Sequence, residues 1–183
     1  MTTRRNVFTL ILAAAAISAF SPAIAAEKAV KPEKNPPGDI SDSQVFVSYK
    51  SPLGFVLQVP EGWARKEQAD GAVFNDKYGR IEVTVADGAL PDPQAAGDDL
   101  KAKGRAVVLH KVEKAKRPAG EAVYLTFDNN SEPNAVTNKQ IRLESDRYLF
   151  AANGKVATIT FSAPKGADNV DQWLSMSESF KWQ

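Results

Sequence analysis

The side chains best suited to chemistry form three groups. The first is the polar run Asp128-Asn129-Asn130-Ser131-Glu132-Pro133-Asn134. Oxygen-bearing side chains at this density could hold a hard cation such as Ca²⁺. The spacing is not that of an EF-hand loop, and Lys139 nearby opposes a cation. The run therefore reads first as a connection between two strands. Asp128, Asn129, Asn130, Ser131, Glu132 and Asn134 remain the candidate binding loop for a small polar ligand or a partner, because loops on a rigid scaffold carry function disproportionately.

The second group is basic. Lys101, Lys103, Arg105, Lys111, Lys114, Lys116 and Arg117 stand against Glu113 alone between residues 101 and 117. They are a candidate docking face for an acidic partner or anionic head groups. The competing reading is a solvated helix end and a sheet edge guarded by lysines. No aromatic side chains are interleaved with these charges, so nucleic acid is not an expected partner.

The third group is Glu144 and Asp146, two positions apart and hence on one face of a strand. Buried in a cleft, paired carboxylates could do acid/base work. Arg142 and Arg147 beside them point instead to surface ion pairs. His110, the sole histidine, lies in Leu109-His110-Lys111, where neighbouring cations resist the imidazolium that a general base must become. It reads as an exposed strand histidine. There is no Gly-x-Ser-x-Gly elbow, no phosphate-binding Gly-rich loop and no His-Glu-x-x-His. One histidine and no cysteine exclude a multi-histidine or thiolate metal site. No catalytic residue and no cofactor is assigned.

The elements that must carry these groups begin with an export signal. Arg4 and Arg5 precede an apolar run from Val7 to Ile17, and Pro22 precedes Ala23-Ile24-Ala25. This order fits a cleavable signal peptide over residues 1–25, cut between Ala25 and Ala26. The apolar run is about ten residues, short of the roughly 20 that span a bilayer. Asn6 and Val7 after the arginines favour the general secretory route over the twin-arginine one. Cleavage removes two arginines and no acid, so 23 cations against 22 acids become 21 against 22, and the formal charge moves from +1 to −1. The expectation is a periplasmic or secreted, soluble monomer without lipid anchor or disulfides.

Residues 26–43 are rich in proline and alternating charge and read as a disordered or extended linker. One domain follows over residues 44–183. Strands are expected at 45–50 and 55–59, joined by Ser51-Pro52-Leu53-Gly54, then at 72–74 and 80–85. A helix over 94–103 takes Asp92 as N-cap, Pro93 at its first turn and Gly104 as its stop. Further strands fall at 106–112, 121–128, 139–150 and 155–162, the last two joined by an Asn153-Gly154 turn. A closing helix starts near Asp168, with Val170, Trp173 or Leu174, Ser177 and Phe180 on one face. Trp63, Trp173 and Trp182 read as core or core-edge aromatics. The class is α+β, with a largely antiparallel sheet and helices packed on it.

The run Tyr49-Lys50-Ser51-Pro52-Leu53-Gly54-Phe55-Val56-Leu57-Gln58-Val59-Pro60-Glu61-Gly62-Trp63 resembles the opening of PsbP-like proteins. Gly154-Lys155 to Phe161, Ser162-Ala163-Pro164 and the closing Ser179-Phe180-Lys181-Trp182 resemble their far end. That family includes the extrinsic photosystem II subunit, a Ran-binding relative and DcrB-type bacterial periplasmic proteins. The resemblance spans about Val45 to Trp182 and implies an α/β/α sandwich. Its members mostly hold partners or ions, and fold alone does not choose among such roles. The functional expectation is an exported, non-catalytic binding or accessory module of the bacterial envelope, holding a protein or small polar ligand. The alternatives are a cation-assisted carboxylate hydrolase using Glu144 and Asp146, and an envelope chaperone or stress factor.

Overall fold

The computed structural model describes residues 27–183. The expected signal peptide and its Ala25–Ala26 junction lie outside the described residues. Two antiparallel sheets carry the architecture. The larger has seven strands in the order β3 (Ala64–Gln68), β4 (Gly71–Asn75), β5 (Arg80–Asp87), β9 (Lys155–Pro164), β8 (Arg142–Ala152), β7 (Gly120–Asn130) and β6 (Val108–Arg117). The smaller joins β1 (Phe46–Lys50), β2 (Phe55–Pro60) and β10 (Lys181–Trp182), with β2 central.

Strand alternation divides the large sheet into two faces. Ile81, Val83, Ala122, Tyr148, Phe150, Ile159 and Phe161 point to one side. There they meet Tyr49, Phe55, Leu57 and Val59 of the small sheet, and Trp173, Met176 and Phe180 at the C-terminal helix α2 (Val170–Ser179). Val123, Leu125 and Phe127 point to the other side, where Leu100 of helix α1 (Pro93–Lys103) covers them. A helix on each face of the sheet gives the expected α+β sandwich, and the small sheet shares the α2 side.

Local chemistry explains both ends of α1 and the turn between β8 and β9. Asp92 caps α1 through its carboxylate, which accepts from Gln94 N at 2.8 Å, with Pro93 in the first turn. Gly104 ends the helix in an extended conformation, φ −86°. A Cβ there would stand 2.3 Å from Val107 Cγ2, so glycine is required by close approach. At the β8–β9 turn, Asn153 and Gly154 have φ of 51° and 73°, the paired positive values of the expected hairpin.

Several expectations are revised. α2 is flanked at its start by Asn169 rather than Asp168, and Asn169 makes no cap bond. Its buried amide instead accepts from Ile40 N at 2.6 Å and donates to the Gly38 carbonyl at 3.0 Å. Residues 27–43 are accordingly extended but lie along the domain, and Ile40 is buried in the main core. Val170 and Leu174 of α2 face solvent, leaving Trp173, Met176 and Ser177 as its buried side. The charged strand β3 and the short β10 carry no alternating apolar signal, and backbone pairing alone defines them.

Candidate functional site

The C-terminal end of β7 sends its polar residues to both faces of the large sheet. Asp128 pairs across the ladder with Glu144 of β8, and Asn129 with Leu143. The candidate loop therefore begins as strand, and the connection proper starts at Ser131. Its members have separate duties. Asp128 is buried and takes Lys165, His110 at 3.1 Å and, more loosely, Arg142 at 4.0 Å. Asn130 is buried; its side-chain oxygen accepts from Val30 N and Arg142, and its amide donates to Glu27 and the Lys28 carbonyl. Ser131 accepts from Ile141 N, and Asn134 accepts from Val136 N and Thr137 N, which folds the loop back on itself. Among the described residues no group of three or more His, Asp or Glu side chains is placed to hold a metal ion.

A groove of about 670 Å³ opens on the α1 face of the sheet, beyond the end of the helix. It gathers Asn129, Asn130, Ser131 and Glu132 of the candidate loop with Lys103 and Arg105 of the basic group. Its floor comes from two neighbouring strands. Ser145 and Arg147 of β8 stand beside Ser162 and Thr160 of β9 by the ladder register. The Ser145 hydroxyl donates to Asn129 Oδ1 at 3.1 Å and lies 2.9 Å from the Ser162 hydroxyl. Arg147 Nε donates to Thr160 Oγ1 at 2.9 Å, and the guanidinium lies 5.3 Å from the Phe127 ring centroid. Arg80 and Glu82 of β5 complete one wall.

Charge in this groove is uneven. Four cations, Arg80, Lys103, Arg105 and Arg147, line it against Glu82 and Glu132. Arg80 is paired with Glu82 at 3.2 Å, and Lys103 with Asp99 at 2.6 Å. Arg105 reaches Glu27 at 3.1 Å and Glu132 at 3.3 Å. Arg147 makes no ion pair among the described residues. Burial lowers its pKa, and Glu82 and Asp99 oppose that shift through space without pairing with it. Glu27, outside the groove lining, accepts from Asn130, Gln140 and Arg105, and these donors hold its pKa below the ordinary value.

A smaller cleft of about 310 Å³ lies on the opposite face. Its lining includes His110, Tyr124, Asp128, Glu144, Asp146, Lys165 and Trp173. Glu144 and Asp146 do share this face, but the expected ion pairs with Arg142 and Arg147 do not form. Arg142 is buried and donates to the Ala106 carbonyl, while Arg147 points into the groove on the other side. Asp146 accepts from Tyr124 Oη at 2.8 Å. Burial raises the pKa of both carboxyls, and Asp128 nearby adds to the effect on Glu144. His110 sits at the register shift between Leu109 and Lys111, which lets its ring reach Asp128.

The seven basic residues do not form one surface. Lys101 and Lys103 lie on α1, with Arg105 just beyond it. Lys111 and Arg117 lie over Tyr124 on the face that bears the cleft. Lys114 and Lys116 alternate to the other side of β6, which is the edge strand. Lys111 pairs with Glu113 and Lys114 with Glu121. The sequence reading missed Arg80, Glu82, Ser145, Thr160 and Ser162. The two-residue spacing of Ser145 and Arg147, and of Thr160 and Ser162, was the available signal for a polar sheet face.

No protein-family model matches the chain, and no curated protein matches it. Among solved structures it is similar to cyanobacterial PsbP (CyanoP) from Synechocystis sp. PCC 6803, with a TM-score of 0.55 and 16% identity, covering 80% of this chain and 98% of that one. A Bacteroides thetaiotaomicron VPI-5482 protein aligns with a TM-score of 0.48 and 13% identity, over 74% of this chain and 48% of that protein. The fold of this chain is PsbP-like. Among the described residues no helix is long and apolar enough to cross a membrane.

Proposed function

We propose that this chain is an exported, non-catalytic binding or accessory module of the bacterial envelope, and that it holds a small polar ligand in the groove on the α1 face. The observation that carries this reading is the convergence of Asn129, Ser145, Arg147, Thr160 and Ser162 in one concavity of about 670 Å³. A few convergent polar groups within a concave site are the usual form of a small-molecule site. The PsbP-like fold is compatible with such a role without selecting it. The export half of the reading rests on the Arg4-Arg5, apolar and Ala23-Ile24-Ala25 succession.

The test is an amide chemical-shift survey of the purified protein against sugars, polyols, amino acids and small acids. Shifts centred on Ser145, Arg147, Thr160 and Ser162 support the reading. A panel that leaves those amides unmoved overturns it. N-terminal sequencing of protein recovered outside the cytoplasm tests export: a terminus at Ala26 supports it, and retention of residues 1–25 contradicts it.

A second reading, a carboxylate-based hydrolase in the smaller cleft, is favoured by the raised pKa values of Glu144 and Asp146. It requires turnover that Asp146→Asn abolishes while the fold persists.

A further inference from the structure

We propose that the ligand of the groove is a small organic oxyanion, a carboxylate or a phosphate, received by the Arg147 guanidinium. This rests on the binding reading above and names its ligand class. A guanidinium keeps its proton at any physiological pH, so burial cannot be relieved by neutralisation. It is relieved by a paired anion or by hydrogen bonds. Arg147 has one hydrogen bond from Nε to Thr160, which leaves the fork formed by its two terminal nitrogens without an acidic partner. The carboxylates close enough to act on it are occupied elsewhere, Glu82 by Arg80 and Asp99 by Lys103. Planar two-pronged donors of this kind match carboxylate and phosphate oxygens. Beside the fork stands the Thr160 hydroxyl, which accepts from Arg147 Nε and keeps its own proton to donate to a further anion oxygen.

An independent contact points the same way. Arg105 and Asn130 line the groove, and together with Gln140 they already receive a carboxylate, that of Glu27. Glu27 comes from the extended segment before β1, 78 residues from Arg105 in the chain. The groove thus has one arginine satisfied by a tethered carboxylate and another, Arg147, without one. Glu27 thereby acts as an internal competitor. While it holds Arg105 Nη1, an incoming anion meets the Arg147 fork alone; when it is removed, Arg105 keeps Glu132 at its Nε and offers the anion Nη1 as a second donor.

Citrate and inorganic phosphate are the probes, with glucose and putrescine as neutral and cationic controls. Binding is followed by calorimetry and by amide shifts on the purified protein. The expected result is citrate or phosphate binding that weakens as salt rises. Arg147→Gln should weaken it about tenfold, or 1.4 kcal/mol, and Arg147→Lys should restore part of the loss. Glu27→Gln should strengthen it about threefold, because Arg105 Nη1 then loses its carboxylate while Glu132 stays at Nε. Melting curves and circular dichroism check that each variant folds, and if Arg147→Gln does not, Glu27→Gln alone decides. Groove shifts produced by glucose or putrescine but not by either anion overturn the oxyanion assignment and leave the polar-ligand reading standing. Anion binding indifferent to Glu27→Gln and to any folded Arg147 variant places the anion elsewhere and also overturns the inference.

Discussion

The rings of Phe150 and Phe180 stack with centroids 4.7 Å apart and planes 19° from parallel. The pair joins β8, inside the large sheet, to the bend between α2 and β10. Phe180 also lies 5.9 Å from Phe55 and 5.4 Å, edge to face, from Trp182. One side chain therefore touches both sheets where the last helix ends.

Phe180→Ala should accordingly be among the costliest single changes in the core. Phe180 is fully buried, and removing a buried phenyl costs about 3–5 kcal/mol in lost transfer energy and residual cavity. Chemical denaturation of the wild type and variant measures the loss. A loss below about 1 kcal/mol would show that the helix and both sheets close up around the gap.

Asp146→Asn should raise stability at neutral pH. Burial lifts the folded-state pKa of Asp146 above its ordinary 3.8, so the folded protein holds this proton more tightly than the unfolded chain. The favourable contribution is complete below 3.8 and is lost as pH rises through the folded value. At pH 7 the charged carboxylate is thus a burden, which the amide removes while still accepting from Tyr124. Melting temperatures of both proteins from pH 3.5 to 7 decide it. The variant should melt higher at pH 7, and the advantage should shrink as pH falls towards 3.8. A constant offset would contradict the burial argument.

Lys114→Val with Lys116→Val should leave folding stability nearly intact while promoting self-association. The Lys114–Glu121 pair is exposed, and such pairs contribute about 0–1 kcal/mol. β6 is the free edge of the seven-stranded sheet, where lysines discourage pairing between molecules. Light scattering at rising concentration is the readout. Unchanged scattering would mean that the edge is protected by other means.

How much of this was legible in the sequence depends on how local the cause is. The Asn153-Gly154 turn and the Asp92 cap were readable because neighbouring residues alone determine them. Strand β3 was not, because Arg65, Lys66 and Glu67 are exposed on it and only pairing with β4 makes it a strand. Ile40 was hidden in a proline-rich stretch whose composition suggests a free leash; the buried isoleucine, the Asn169 amide and the Asn130 side chain dock it. The groove was half legible. Asn129, Asn130, Ser131 and Glu132 stand out as a polar run, but Arg147 reads in sequence as an ion-pair partner of its carboxylate neighbours, and Arg80, Lys103 and Arg105 arrive from separate elements through tertiary folding.

The ladder between β5 and β9 has a consequence in time. Ile81 lies opposite Phe161, eighty positions further along the chain. The hairpin formed by β8 and β9 can close early, whereas β5 must find a strand separated from it by α1 and three intervening strands. Such non-local pairing makes a high-contact-order topology, whose folding takes milliseconds to seconds rather than microseconds. During that search β5 and β9 each present an unpaired edge. The chain is most vulnerable to wrong partners before these two strands meet.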